Sequence, residues 1–420
     1  QAAKVTNMAG TSHQVGDCNA LPLSGIRVVD FGWVWSVPVI GHILADMGAE
    51  VIKVESRKRL DAGRIGLPLG DRPADPDWTV GFHVYHRNKQ SVTVNLRSEE
   101  GLTLVKRLIS VSDVVMSNMT PGVMERLGLG FDDLKWVRED LVVLSVSSIG
   151  QTGPFSEIPS YSPCAGAISG LETLVGYEGG STQGSTTAFM DPVTALYGAF
   201  AILAALEHRT KTGAGQYIDL SLTETGIGLT LEPLLDYQWN SRVWGPRGNM
   251  ELGYAPHNTY PCRETDSWIG IAVAGEPEWQ KLLEVMSHPA WAQDPRFGDQ
   301  FSRWKHRDAL DELVGQWTAP QERDELARRL QAAGVAASPA YTLPELPSLE
   351  HHRHRQDYVT LDHPTLANEI IYGVVWPLGE TPGSIRRHAP LLGEHNSPVF
   401  ESLLGLSAEE LGNLEASDAL

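Results

Sequence analysis

Six short runs rich in β-branched residues, separated by segments of helical periodicity, constrain this chain more than any other feature. They read IRVVDF (26–31), AEVIKVE (49–55), SVTVNL (91–96), DVVMSN (113–118), LVVLSVSS (141–148) and QYIDLSL (216–222). The helix-compatible segments between them include Pro38–Met47, which ends at Gly48, and Glu99–Ile109, with shorter pieces in PGVMERLG and FDDLKWVRED. A strand, a helix and a second strand in that order read as βαβ, which makes neighbouring strands parallel. The fold class that follows is α/β, with a large domain built on an open, parallel, Rossmann-like sheet covered on both faces. A long segment from Pro192 to about His208 (VTALYGAFAILAAL) is apolar almost all round, so it is expected to be buried.

Beyond the last run the texture changes. A Gly-, Pro- and polar-rich linker near 239–249 precedes two short strands, in NTYPCRE and SWIGIAVAG, and charged amphipathic helices such as Gln321–Ala333. We read residues 1–20 as a polar N-terminal extension, 21–238 as the first part of the large domain, and 239–347 as a smaller α+β domain with its linker. Residues 348–420 form a connection and a C-terminal return to the large domain.

Composition narrows the partners. With 52 Asp and Glu against 33 Lys and Arg, the formal charge of −19 repels nucleic acid and anionic membrane surfaces, so neither is an expected partner. A polyanionic ligand must find a local basic pocket. The three cysteines have no metal or redox spacing, no apolar run reaches the ~18 residues of a membrane span, and no signal-peptide pattern opens the chain. A cytoplasmic location is the expectation.

Chemistry is then sought in the loops. After the first run the chain reads DFGWVWSVP, where two tryptophans replace the G-x-G-x-x-G turn that a dinucleotide needs. G-x-S-x-G and H-E-x-x-H are absent, and His351, His352 and His354 sit on a charged stretch that reads as solvated surface, so no metal site is expected. Arg57, Lys58 and Arg59 follow the second run, Arg97 the third and Arg126 the fourth. In open α/β sheets ligands bind beyond the carboxyl ends of the strands, so these residues together form a candidate anion pocket. Asp191 precedes Pro192 and the long apolar segment, the pattern of an N-cap followed by proline at the first helical position. A carboxylate there can also stay ionised, favoured by the helix dipole, and act as a nucleophile.

The segments LPLSGIRVVDFGWVWSVPVIGHILADMGAEVIKVE, RNKQSVTVNLRSEEG, DVVMSNMTPGVMERLGLGFDDL and FMDPVTALYGAFAILAALEHRTKTGAGQYIDLSL resemble the family III CoA transferases, as does GYAPHNTYPCRETDSWIGIAV. The resemblance runs from about Leu21 to Leu404. It implies an enzyme that moves CoA from an acyl-CoA donor to a carboxylic acid acceptor, with CoA as a substrate and no tightly bound cofactor. By the same resemblance Asp191 is the catalytic aspartate, and Arg97, Asn118, Met119 and Arg126 contact CoA. Two ring-shaped subunits interlocked as a homodimer are implied, although some members work as two unlike chains, so a heteromer or a non-catalytic subunit stays open. Three departures stand out. Ser56 falls where formyl-CoA transferase has Arg, which shifts a phosphate contact to Arg57. Ser147 and Ile149 replace its Lys and Tyr, which puts oxalate or formate specificity in doubt. Tyr161 occupies the slot of the histidine that a related acyl-CoA racemase needs, and a phenol of unperturbed pKa ~10 is a poor base at neutral pH. Oxyanion donors are sought at Gly179, Gly180 and Gly253.

Overall fold

The computed structural model describes residues 21–66 and 75–420, which divide into two compact units. The extension 1–20 lies outside the described residues.

The first unit holds residues up to 166, 188–226 and 356–420. All six runs become strands: β1 (Arg27–Asp30), β2 (Glu50–Glu55), β3 (Gln90–Thr93), β4 (Val114–Ser117), β5 (Val142–Ser147) and β6 (Tyr217–Ser221). They form one parallel sheet in the order β3-β2-β1-β4-β5-β6. Val28, Val29, Ile52, Val92, Val114, Val115, Val142 and Leu144 are fully enclosed, as strands buried on both faces require. The order reverses direction between β1 and β4, opening a crevice at their carboxyl ends.

Helix Met190–Thr212 departs from expectation. Its Thr194, Ala195, Ile202 and Ala205 are buried against the first unit, but Leu196, Tyr197 and Leu203 are exposed and Phe200 is 73% exposed. Side chains 100° apart around a helix cannot all meet one sheet, so an apolar circumference leaves a face uncovered. The helix also has the length and composition of a membrane span, contrary to the reading that no run reaches that length. Its contacts with helix Ser36–Asp46 and with β5 and β6 make it a core helix of the sheet.

β3 lies at the sheet's edge, and residues near the far end of the chain cover it. The His395 N–H donates to the Ser91 carbonyl (2.9 Å), the Asn396 carboxamide oxygen accepts from the Thr93 N–H (2.8 Å), and the Asn95 N–H donates to the Ala419 carbonyl (2.8 Å). A hairpin of β10 (Tyr358–Leu361) and β11 (Glu369–Tyr372), not anticipated from sequence, belongs to the same return segment.

The second unit holds 167–187 and 227–355. It contains an antiparallel sheet, β7 (His257–Pro261), β8 (Trp268–Ala272) and β9 (Ala336–Ala340), whose core includes Tyr260, Ile269, Trp279, Leu282, Leu310 and Leu330. This unit is wider than residues 239–347. The 167–187 loop joins it because the Gly248 N–H donates to the Gly176 carbonyl (2.8 Å) and Glu178 pairs with Arg307.

Candidate active site

The loop between β1 and helix Ser36–Asp46 sits at the crevice, and buried side chains satisfy its backbone. Asn118, one residue past β4, accepts from the Trp33 N–H and donates to the Trp33 carbonyl, each at 2.8 Å. Lys53 of β2 donates to the Gly32 carbonyl (2.6 Å) and to Asp61 (2.9 Å). Asp61 in turn accepts from the Val34 N–H (3.0 Å) and the Gly63 N–H (2.9 Å). Burial alone would raise the Asp61 carboxyl, but the Lys53 charge and these bonds hold it below the usual carboxylate range. Further buried pairs brace the same end of the sheet: Asp30 with Lys89 (2.7 Å), and Glu55 with Arg64 through two bonds (2.6 and 2.7 Å). Burial brings the Lys89 ammonium down to about 8 despite its partner Asp30.

Asp191 stands beside the end of this loop. It is the second residue of helix Met190–Thr212, and the N-cap position is Phe189, which makes no side-chain cap bond. The N-cap expectation for Asp191 is therefore corrected: its carboxylate is not engaged in capping, because the helix starts two residues earlier than expected, at Met190 rather than Pro192. The carboxyl is pushed above its ordinary range by burial. The hydroxyls of Ser162 and Ser36 and the Ser36 backbone N–H partly offset that rise. Ser36 opens helix Ser36–Asp46, so its N–H is one of the first-turn donors that lack an intrahelical partner. Ser162 Oγ is buried without a hydrogen bond of ordinary geometry, which leaves it available to the carboxyl group beside it. Tyr85, stacked on Trp35 with ring centroids 5.4 Å apart, also faces Asp191; burial and the Asp191 charge push its phenol up to about 12.

The basic residues singled out from sequence follow the carboxyl ends of strands β2, β3 and β4. Arg57 is exposed after β2, its guanidinium against Gly393, which also borders Thr93 at the end of β3. Arg59 lies over the Trp33 ring (4.9 Å), and Lys58 pairs with Asp418. Arg97 is exposed in the turn after β3, and Arg126 is exposed at the end of helix Val123–Arg126, folded back on Gly122. Asn118 commits its side chain to Trp33, and Met119, half-buried, packs on the core with its N–H bonded to Ser117 Oγ (3.1 Å). In the second unit the Gly180 N–H already donates to the Tyr177 carbonyl (3.0 Å), which removes it as a free oxyanion donor. Tyr161 is 77% exposed. Among the described residues no group of three or more His, Cys, Asp or Glu is arranged to hold a metal.

Sequence reasoning missed Lys53, Asp61, Arg64 and Lys89, because charged residues ordinarily face water. Position was the available signal: Lys53 interrupts the apolar run EVIKVE, where alternate residues of a doubly covered strand are both enclosed.

A parallel sheet with a carboxylate uncommitted to an ion pair beside its switch-point loop, and arginines following three of its strands, has the architecture of an α/β enzyme. The chain belongs to CoA-transferase family III, whose family model matches residues 23–396. It is 33% identical over 94% of its length to the succinyl-CoA–D-citramalate CoA-transferase of Chloroflexus aurantiacus, covering 97% of that protein. It is 35% identical over 96% of its length to the succinyl-CoA–L-malate CoA-transferase beta subunit of the same organism, covering 98% of it. Among solved structures, a CAIB/BAIF family protein from Brucella suis superposes with a TM-score of 0.83 at 28% identity, covering 91% of this chain and all of that one. The chain itself is thus a CoA-transferring enzyme, of a family whose substrates are CoA thioesters.

Proposed function

We propose that this chain exchanges CoA between two carboxylic acids through covalent intermediates on Asp191. The observation that carries the reading is a carboxylate half-withdrawn from water, uncommitted to capping, and faced by the Ser36 N–H and two hydroxyls. The Asp191 carboxylate attacks the thioester carbonyl of the donor, forming a mixed anhydride and expelling CoA thiolate. The thiolate attacks the aspartyl carbonyl, forming an aspartyl-CoA thioester and releasing the donor acid as its carboxylate. The acceptor carboxylate then attacks that thioester to give a second anhydride and free thiolate, which attacks the acceptor's carbonyl and regenerates Asp191. No proton is gained or lost, so no partner base is needed. Arg57, Arg97 and Arg126 serve the phosphates of CoA, while Asn118 and Met119 shape the crevice through the backbone.

The named relatives suggest short dicarboxylic acids as donor and acceptor. The uncovered face of helix Met190–Thr212, with Leu196, Tyr197 and Phe200, supports self-association, either with a second copy or with a related subunit. The test is intact-protein mass spectrometry after incubation with succinyl-CoA and other acyl-CoAs, followed by hydroxylamine or borohydride trapping. Wild type should carry a modification at Asp191 and Asp191→Asn should not. An unmodified wild type that nevertheless exchanges the α-hydrogen of acyl-CoA in deuterated water would overturn the proposal in favour of an isomerase.

A further inference from the structure

The loop before helix Ser36–Asp46 contains a conformation that packing does not explain. Val34 has φ +64°, a left-handed backbone that a β-branched residue adopts only at a cost. Its side chain is 46% exposed, so no core contact demands this placement. What holds it is polar. The Val34 N–H donates to Asp61 Oδ1, and the other oxygen of that carboxylate is tied to Lys53, which also grips the Gly32 carbonyl two residues earlier. With Asn118 on both polar groups of Trp33, four backbone groups of Gly32–Val34 are held by side chains from three separate segments. Two residues further on comes the Ser36 N–H that faces Asp191.

We infer that Asp61 is a positioning residue: by locking Val34 in the left-handed turn it delivers the Ser36 N–H to the Asp191 carboxylate. This rests on the proposed role of Asp191. Two substitutions at the one exposed side chain separate backbone placement from general stability. Glycine adopts φ +64° freely, whereas proline is fixed near −65° and lacks the N–H that Asp61 accepts.

The experiment compares full-length wild type, Val34→Gly, Val34→Pro, Asp61→Asn and Asp61→Asn/Val34→Gly. CoA exchange is measured across pH, and amide hydrogen exchange is measured on peptides covering 32–40 without substrate. Val34→Gly is expected to keep nearly wild-type kcat. Val34→Pro should lower the melting temperature, since its ring cannot take the native turn and Asp61 loses a donor, but in the folded protein it should keep KM and lose kcat by about a hundredfold, the scale of loss for a reacting group displaced by about 1 Å. Its acid limb should move to higher pH because Asp191 loses a donor, and the Ser36 amide should exchange faster. Asp61→Asn should be impaired and partly rescued by the added glycine. The inference is overturned if Val34→Pro matches wild type in kcat and Ser36 exchange, if Val34→Gly is as impaired as Val34→Pro, or if the glycine gives no rescue. A wild type that forms no adduct at Asp191 overturns the covalent mechanism alone, and the amide exchange still decides whether Asp61 places Ser36.

Discussion

Replacing Asn118 by leucine should harm the protein more than replacing it by alanine, the reverse of the order that side-chain volume predicts. In a packed interior alanine is the worse choice, because it leaves a cavity. At position 118 the side chain does different work: its oxygen accepts from the Trp33 N–H and its nitrogen donates to the Trp33 carbonyl, both at 2.8 Å. Both residues are half-buried, so truncation to alanine admits water to the two freed groups. The loss is then only the net value of the two short hydrogen bonds, about 1–3 kcal/mol before discounting for exposure and so nearer the lower end here, with little added by the long bond to Ser36 Oγ (3.4 Å). Leucine fills the space without a polar atom, shuts water out, and leaves a donor and an acceptor unsatisfied. At about 1–3 kcal/mol for each stranded group, discounted for partial exposure, the cost is about 2–4 kcal/mol. Urea unfolding followed by tryptophan fluorescence, in which Trp33 and Trp35 report on this loop, should give midpoints in the order wild type, alanine, leucine with similar slopes. Transfer activity should fall in the same order through kcat. If leucine proved as stable as alanine, or if alanine raised KM for acyl-CoA with no loss of stability, the clamp argument would be refuted and a direct ligand contact by the amide would replace it.

Two further outcomes follow from the same geometry. The Asp191 carboxyl lies above its ordinary range, chiefly from burial, and the proposed mechanism requires its ionised form, so kcat should rise with pH through that elevated value. Ser36→Ala removes one hydroxyl that favours the carboxylate and should move the acid limb of the pH–kcat profile to higher pH; a shift to lower pH would contradict the assignment. Arg64→Met strips the buried Glu55 of its two guanidinium bonds, leaving, among the described residues, the Ser91 hydroxyl donating to it. Breaking such a pair should cost about 3–5 kcal/mol in denaturant unfolding, and adding Glu55→Leu should recover part of that loss, since Glu55 is then no longer buried without its cation; the part not recovered includes the Arg64–Asp77 pair (2.7 Å).

The six strands of the large sheet were legible because each is a continuous β-branched run, and a parallel strand enclosed on both faces can be little else. Asp191 stood out through its place before Pro192, yet the residues alone favoured a cap; only the resemblance pointed to a nucleophile. The helix begins at Met190 rather than Pro192, and that two-residue difference frees the carboxylate. Lys53, Asp61 and Asn118 were less legible for a common reason. Their partners are backbone groups of residues 32–34, brought near by strand order rather than by sequence proximity. The left-handed Val34 leaves no trace in composition, since a valine there contradicts local preference. The second unit's edges escaped for a similar reason: Gly176 and Gly248 meet although 72 positions apart in the chain. The apolar circumference of helix Met190–Thr212 was read as burial, but hydrophobicity marks surface that leaves water without saying against what.

The covering of β3 by residues 395–419 has a consequence for how the protein is made. An edge strand with unpaired backbone groups is a template for any other extended chain. In this molecule the covering groups lie about 300 residues downstream of β3, and at roughly 5–20 residues per second their synthesis lags it by about 15–60 s. Throughout that interval every growing chain on a polysome carries the same open edge, close to identical neighbours. Yield during expression should therefore depend on chaperone capacity and translation spacing more than on the stability of the finished fold.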